Sequence, residues 1–301
     1  MPISGYIIEK YNNMTGAYTC NRLLEEGRKL GMRLDLVGVY DTFVAQDGVY
    51  NVGAAFGAGS ATAARKLERR DFCVWRYKPG AIKREIAALA DRSYNRQDAF
   101  EKYMSKYEQL KDIGSKAFRK PRFMLAKTDV PYEAVASRLD GRFVAKGLTS
   151  SMGREVFLVE NEERYRALLQ GFEPEKEWLF EEYIETSAGR DLRIYAVRGE
   201  AVACMERKSR GDFRANVALG AETKALPVTD EIRLAAKDIY EITGLDFAGI
   251  DLLFDRDGLC FCEVNITPGI EGIESASGVN IAGIVMETVR DDMLAARGQQ
   301  E

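Results

Sequence analysis

The segment FAGIDLLFDRDGLCFCEVN, residues 247–265, constrains the fold more than any other part of the chain. Two apolar runs flank Arg256-Asp257-Gly258, and a three-residue hairpin loop favours glycine in its last, left-handed position. Such a loop pairs Asp255 with Leu259. Counting outward sets Asp251 opposite Glu263 and Gly249 opposite Asn265. Residues two apart on a strand share a face, so both carboxylates and the amide project from one side. Carboxylates roughly 5 Å apart across a strand pair repel each other and need positive charge nearby. A lysine or arginine could supply it. So could a hard cation such as Mg2+, for which Asp, Glu and Asn all offer oxygen, and the added amide favours the cation. The next residues, ITPGIEGIE (266–274), are turn formers that bring backbone close to whatever the carboxylates hold.

The rest of the chain alternates strands and helices. Ile3 to Ile8, Leu34 to Tyr40 and Phe72 to Tyr77 read as strands, and Thr19 to Leu30 and Ile82 to Ala90 as helices. This is an α/β unit with a partly parallel sheet. Ala99 to Ile113 reads as one helix, and a boundary falls near the basic, proline-containing stretch Ser115 to Pro121. Arg142 to Lys146, Glu155 to Val159 and Trp178 to Ile184 are strands, with a helix at Glu162 to Leu169. Leu192 to Val197 and Ala201 to Arg207 form a hairpin. Thr229 caps a helix that Gly244 ends, and a last helix covers Ile281 to Leu294.

Composition narrows the chemistry. The chain has no histidine, which removes the Ser-His-Asp triad, Cys-His pairs and histidine-bound zinc. Carboxylates, lysines, arginines and a hard metal remain, the usual equipment for phosphoryl chemistry. The five cysteines form no CxxC pair and read as buried thiols of a reducing compartment. The net charge of −4 argues against a nucleic-acid binder. No apolar run is long enough to span a bilayer, and MPISGYIIEKYNN carries no signal-peptide pattern, so a cytoplasmic protein is expected. Gly57 to Thr62 resembles a truncated GxGxxG without its third glycine, and there is no GxxxxGK[ST]. Basic residues gather between Arg65 and Arg84 and again at Lys116, Arg119, Lys120 and Arg122, either as solvated surface or as attractors of anionic substrates.

EVNITPGIEGIESASGVNIAG strongly resembles the end of RimK-type ATP-grasp ligases, a family that includes the ribosomal-protein glutamate ligase. EEYIETSAGRDLRIYAVRGEAVACMERKSRGDFRAN and GLDFAGIDLL resemble the same family in the same order, and the similarity is specific from about Lys102 to Val289. The resemblance implies an ATP-grasp fold in three parts. These are an N-terminal α/β domain (1–97), a central lid (98–184) and a C-terminal domain with the metal site (185–301). It implies an ATP-dependent carboxylate–amine ligase that forms an acyl-phosphate and releases ADP and phosphate. Carried over by position, Asp251, Glu263 and Asn265 hold Mg2+, with Mn2+ as a substitute. Lys102 and Lys146 contact phosphates, and Glu182, Tyr183 and the Ile184 backbone form the adenine hinge. Asp191 contacts ATP, Arg214 and Asn216 lie near the transferred phosphate, and Arg207 meets a substrate carboxylate.

Two departures bear on specificity. The lid loop, residues 147–155, has Ser150 and Glu155 where the family has glycine. VALGA, residues 217–221, replaces a stretch with histidine, arginine and paired glycines in the glutamate ligases. The acid and amine thus stay open: an anionic small molecule, an amino acid or a peptide, with homo-oligomerisation undetermined. An ATP-grasp kinase acting on a hydroxyl, or a nucleotide-binding regulator with little turnover, are the rival readings.

Overall fold

The computed structural model describes residues 2–12, 18–52, 64–78, 80–150, 153–215 and 220–299. They pack as two units. One comprises Met1–Phe100, Leu245–Phe247 and Thr267–Glu301; the other comprises Glu101–Gly244 and Ala248–Ile266.

The first unit contains β1 (Ser4–Glu9), α1 (Tyr18–Lys29), β2 (Arg33–Gly38), β3 (Thr42–Ala45), β4 (Gly48–Asn51), β5 (Arg65–Lys66), β6 (Arg70–Trp75), α2 (Ala81–Ala87) and β7 (Ala90–Tyr94). Strands β2-β1-β6-β7 form a parallel sheet in that order. Tyr6, Ile7 and Ile8 of β1 are fully buried, as a parallel strand covered on both faces requires. Strands β3, β4 and β5 make a separate antiparallel sheet. They are too short to leave a periodic signal in the sequence.

The expected helix from Ala99 to Ile113 is instead two: α3 (Gln97–Lys102) and α4 (Lys106–Asp112). Ser105 caps α4, its hydroxyl accepting from the Glu108 amide at 3.5 Å. The Gln109 side chain turns back and donates to the Tyr103 carbonyl at 2.7 Å, so the intervening residues leave the helix.

The second unit continues with β8 (Phe123–Lys127), α5 (Tyr132–Ala136), β9 (Phe143–Gly147), β10 (Val156–Val159), α6 (Glu162–Leu169) and β11 (Glu177–Glu182). The antiparallel sheet β10-β9-β11-β8 packs Phe143, Trp178 and Phe180 against Val135, Tyr165 and Leu169 of α5 and α6. A second sheet runs β14-β13-β12-β15-β16, from β12 (Arg190–Val197), β13 (Glu200–Lys208), β14 (Glu222–Leu226), β15 (Phe247–Asp255) and β16 (Gly258–Asn265). Between β14 and β15, α7 (Asp230–Thr243) begins at the Thr229 cap and ends at left-handed Gly244, both as expected. The chain closes with α8 (Glu271–Ser277) and α9 (Ile281–Gly298) in the first unit.

In the hairpin β15–β16, Asp251 faces Glu263 and Gly249 faces Asn265, as counted from the sequence. The path to that register differs. Asp255 pairs with Gly258 rather than Leu259, because the turn is one residue tighter. A bulge between Asp251 and Leu252 leaves Cys262 as the extra residue on β16 and restores the count.

Candidate active site

One cleft of the second unit, with about 810 Å³ of empty space, gathers most of the expected residues. Lys146, Glu182, Tyr183, Ile184, Asp191, Arg214, Asp251 and Glu263 all line it. Val144, Val156, Leu253 and Phe213 supply apolar walls.

Lys146 lies on β9 and Glu181 on β11, diagonal neighbours across a paired register. The buried Lys146 ammonium donates to one Glu181 oxygen at 2.7 Å, and the other oxygen is buried without a hydrogen-bond partner among the described residues. Burial disfavours the Lys146 charge, but Cys262, Glu181 and Glu263 hold it above the ordinary lysine range. Burial also pushes the Glu181 carboxyl up, against the pull of Lys146. The neighbouring Glu182 is engaged elsewhere. Its carboxylate accepts from Arg119 at 3.0 Å and from the Arg122 amide at 3.0 Å.

Lys106, at the start of α4, reaches Glu263 at 2.6 Å. Gln109 fixes this approach, donating to the Val264 carbonyl at 2.9 Å and accepting from the Val264 amide at 2.7 Å. Burial opposes the Glu263 charge, but Lys106, Lys146 and Arg193 outweigh it and hold its carboxyl down to about 2. Lys102 is not part of this group. It lies beyond the helix break, half-exposed, and pairs with Asp112 at 2.6 Å. Lys106, which the sequence reading did not single out, is the lysine that lines the cleft beside Glu263.

Asp251 is held by the guanidinium groups of Arg193 and Arg207, the latter at 3.0 Å. Arg207 also donates two bonds to Asp191, at 2.7 and 2.6 Å, and is buried. Its donors serve two carboxylates of the protein, and it does not line the cleft. Burial raises Asp191 to about 6, against the attraction of Arg207. Arg214 lines the cleft and donates to the Gly153 carbonyl at 2.6 Å and to Asp212. Asn216 and the Ser151–Met152 part of the lid loop lie outside the described residues, as does the 57–62 glycine motif.

The donors decide whether a hard cation fits. Asp251, Glu263 and Asn265 provide oxygen alone, and Glu263 stays ionised. Both oxygens of Asp251 are taken by arginines, and among the described residues no three His, Cys, Asp or Glu side chains are grouped to hold a metal. The residues fit a cation that takes one or two carboxylates and completes its shell on bound phosphate, the usual habit of Mg2+. The arginine or lysine neutralisation that the sequence left open is present as well, on both carboxylates.

The fold is that of ATP-grasp enzymes. D-alanine–D-alanine ligase from Bacillus anthracis, solved with ATP, superposes with a TM-score of 0.69 at 14% identity, covering 100% of each chain. The ATP-grasp ligase PsnB, solved with a minimal precursor, Mg and ADP, gives a TM-score of 0.65 at 16% identity over 96% of this chain and 97% of that one. A probable alpha-L-glutamate ligase of Psychromonas ingrahamii is 28% identical over 281 residues, 92% of this chain and 93% of its own. Other curated relatives of that description are longer, and the chain spans 59% or 60% of their length. Residues 104–289 match the RimK-like ATP-grasp domain, and the chain belongs to that family.

Proposed function

We propose that the chain is an ATP-dependent ligase joining a carboxylate to an amine. The observation that carries this reading is the cleft in which Lys106 and Lys146 converge, each neutralised by a carboxylate of the protein. Such a site is balanced while empty and has cations ready for a polyphosphate. When ATP enters, Lys106 leaves Glu263 and Lys146 leaves Glu181 for phosphate oxygens. The adenine lies between Val144, Val156 and Leu253, with the Tyr183–Ile184 backbone at its edge. The orphan oxygen of Glu181 accepts from its amino group, and Asp191 meets the ribose. Asp251, Glu263 and Asn265 hold Mg2+, which neutralises charge on the phosphates when bound.

A carboxylate oxygen of the first substrate attacks the terminal phosphorus, ADP leaves, and Arg214 steadies the charge on the moving group. The amine then attacks the carbonyl carbon of the acyl-phosphate and expels phosphate. Water would destroy that intermediate, so the site must exclude it during turnover. The division 1–97, 98–184 and 185–301 describes the parts that carry these roles. The substrates are carboxylate and amine compounds of amino-acid or peptide type. A cytoplasmic site of action agrees with five free cysteines, four of them buried, and with no helix among the described residues long and apolar enough to cross a membrane.

The test is ADP release across pools of carboxylates and amines, with hydroxylamine added to trap the activated acid. Amine-dependent ADP and a hydroxamate are expected. AMP and pyrophosphate would sink the acyl-phosphate route, and ADP release with a stable phosphorylated hydroxyl compound and no hydroxamate would assign a kinase.

A further inference from the structure

The parallel sheet of the first unit has a switch point. From β1 the chain crosses to β2 on one side, while β6 and β7 lie on the other. Ligands of open α/β sheets bind beyond the carboxyl ends of the strands at such a point. Glu9 ends β1 there, and Arg76 follows β6, its amide donating to the Ile8 carbonyl at 2.8 Å.

Arg76 stands apart from the basic stretch around it. Arg65 and Arg70 pair with Asp35, Arg69 with Asp91, and Lys83 lies buried against Trp75 and Phe100. Arg76 meets no carboxylate within ion-pair distance among the described residues. One nitrogen donates to the Pro268 carbonyl at 2.7 Å, and its Nε is buried with no hydrogen-bond partner among the described residues. Pro268 belongs to the ITPGIEGIE loop, which α1 also holds: the Thr19 hydroxyl accepts from the Ile270 amide at 3.2 Å. The Cys20 thiol sits against both Arg76 and Glu9, 3.5 Å from the Glu9 carboxylate. Burial pushes that thiol up to about 12, so it is neutral and no counter-ion for Arg76.

A guanidinium with an orphan donor calls for an anion. The nearby Glu9 carboxylate repels a multiply charged one and attracts an ammonium. We propose that Arg76 and Glu9 form a subsite for a zwitterionic α-amino acid, Arg76 holding its carboxylate and Glu9 its ammonium. Arg76 then takes the role that the sequence assigned to Arg207, whose bonds go to Asp191 and Asp251. This deepens the ligase reading and rests on it for the identity of the bound molecule as substrate.

The test is direct binding without turnover. Saturation-transfer NMR of the full chain is run with each of the common α-amino acids, and with acetate and inorganic phosphate as controls. At least one amino acid should bind, and the two controls should bind far more weakly. Arg76→Ala and the isosteric Glu9→Gln should each weaken that amino acid roughly tenfold or more, and Arg76→Lys should restore part of the loss. ADP affinity should not move in any variant, which shows the fold intact. No amino acid bound by the wild-type chain, wild-type affinity in Arg76→Ala and Glu9→Gln, or tighter binding of phosphate would each overturn the subsite. Failure of the ligase reading looks different: amino acid bound through Arg76, yet ADP never released in an amine-dependent way.

Discussion

Lys146 and Glu181 share one hydrogen bond of 2.7 Å in the lining of the cleft, and among the described residues the second oxygen of the same carboxylate has no hydrogen-bond partner. The pair is buried on both sides. Removing one member leaves the other charge stranded, which typically costs about 3–5 kcal/mol. Glu181→Ala should therefore lower unfolding stability by that order in urea titrations. Lys146→Met combined with Glu181→Leu should recover most of it while abolishing nucleotide binding. A Glu181→Ala protein as stable as the wild type would mean that Lys146 is not held by Glu181.

The broken helix separates two lysines that are four residues apart. Lys106→Ala should lower kcat/KM for ATP by about a hundredfold or more, the scale of losing a charge aimed at the reacting phosphates. Lys102→Ala removes a half-exposed pair with Asp112 and should change kcat/KM by less than about threefold. The reverse order of effects would return the phosphate contact to Lys102.

Two carboxylates of the site should bend the stability curve in opposite directions. Glu263 is held down to about 2, against an ordinary value of about 4.3. Its contribution is complete above about pH 4.3 and is lost as the pH falls through about 2. At about 1.36 kcal/mol per pH unit it amounts to about 3 kcal/mol. Burial raises Asp191 to about 6, so its contribution is complete below about pH 3.9 and is lost as the pH rises through about 6. Denaturant midpoints across this range should show Glu263→Gln flattening the acid limb and Asp191→Asn flattening the fall toward neutrality. Unchanged pH profiles in both variants would remove these two groups as its source.

The sequence was most legible where strand alternation and local capping decide the structure. Thr229 and Gly244 marked the ends of α7, while the Asp251–Glu263 pairing was reached from a three-residue turn that the hairpin lacks, the bulge at Cys262 making up the difference. Lys106 was hidden because the break between α3 and α4 depends on Gln109, whose partner Val264 is 155 residues away. Arg193 and Arg207 were legible as basic residues of a strand pair, but their targets become visible only once β12, β13 and β15 lie side by side. Glu181 was obscured by its neighbour Glu182, and only the facing β9 strand distinguishes the two. The β3–β5 sheet had no periodic signature to read.

The bulge at Cys262 has a mechanical consequence. The bulge lies between the turn at Arg256-Asp257 and the acid pair Asp251–Glu263, as one residue of slack. A residue deleted at the tip can be made up by drawing that slack straight, leaving the acids face to face. The length of the outer loop is thus free to drift while the inner gauge stays set.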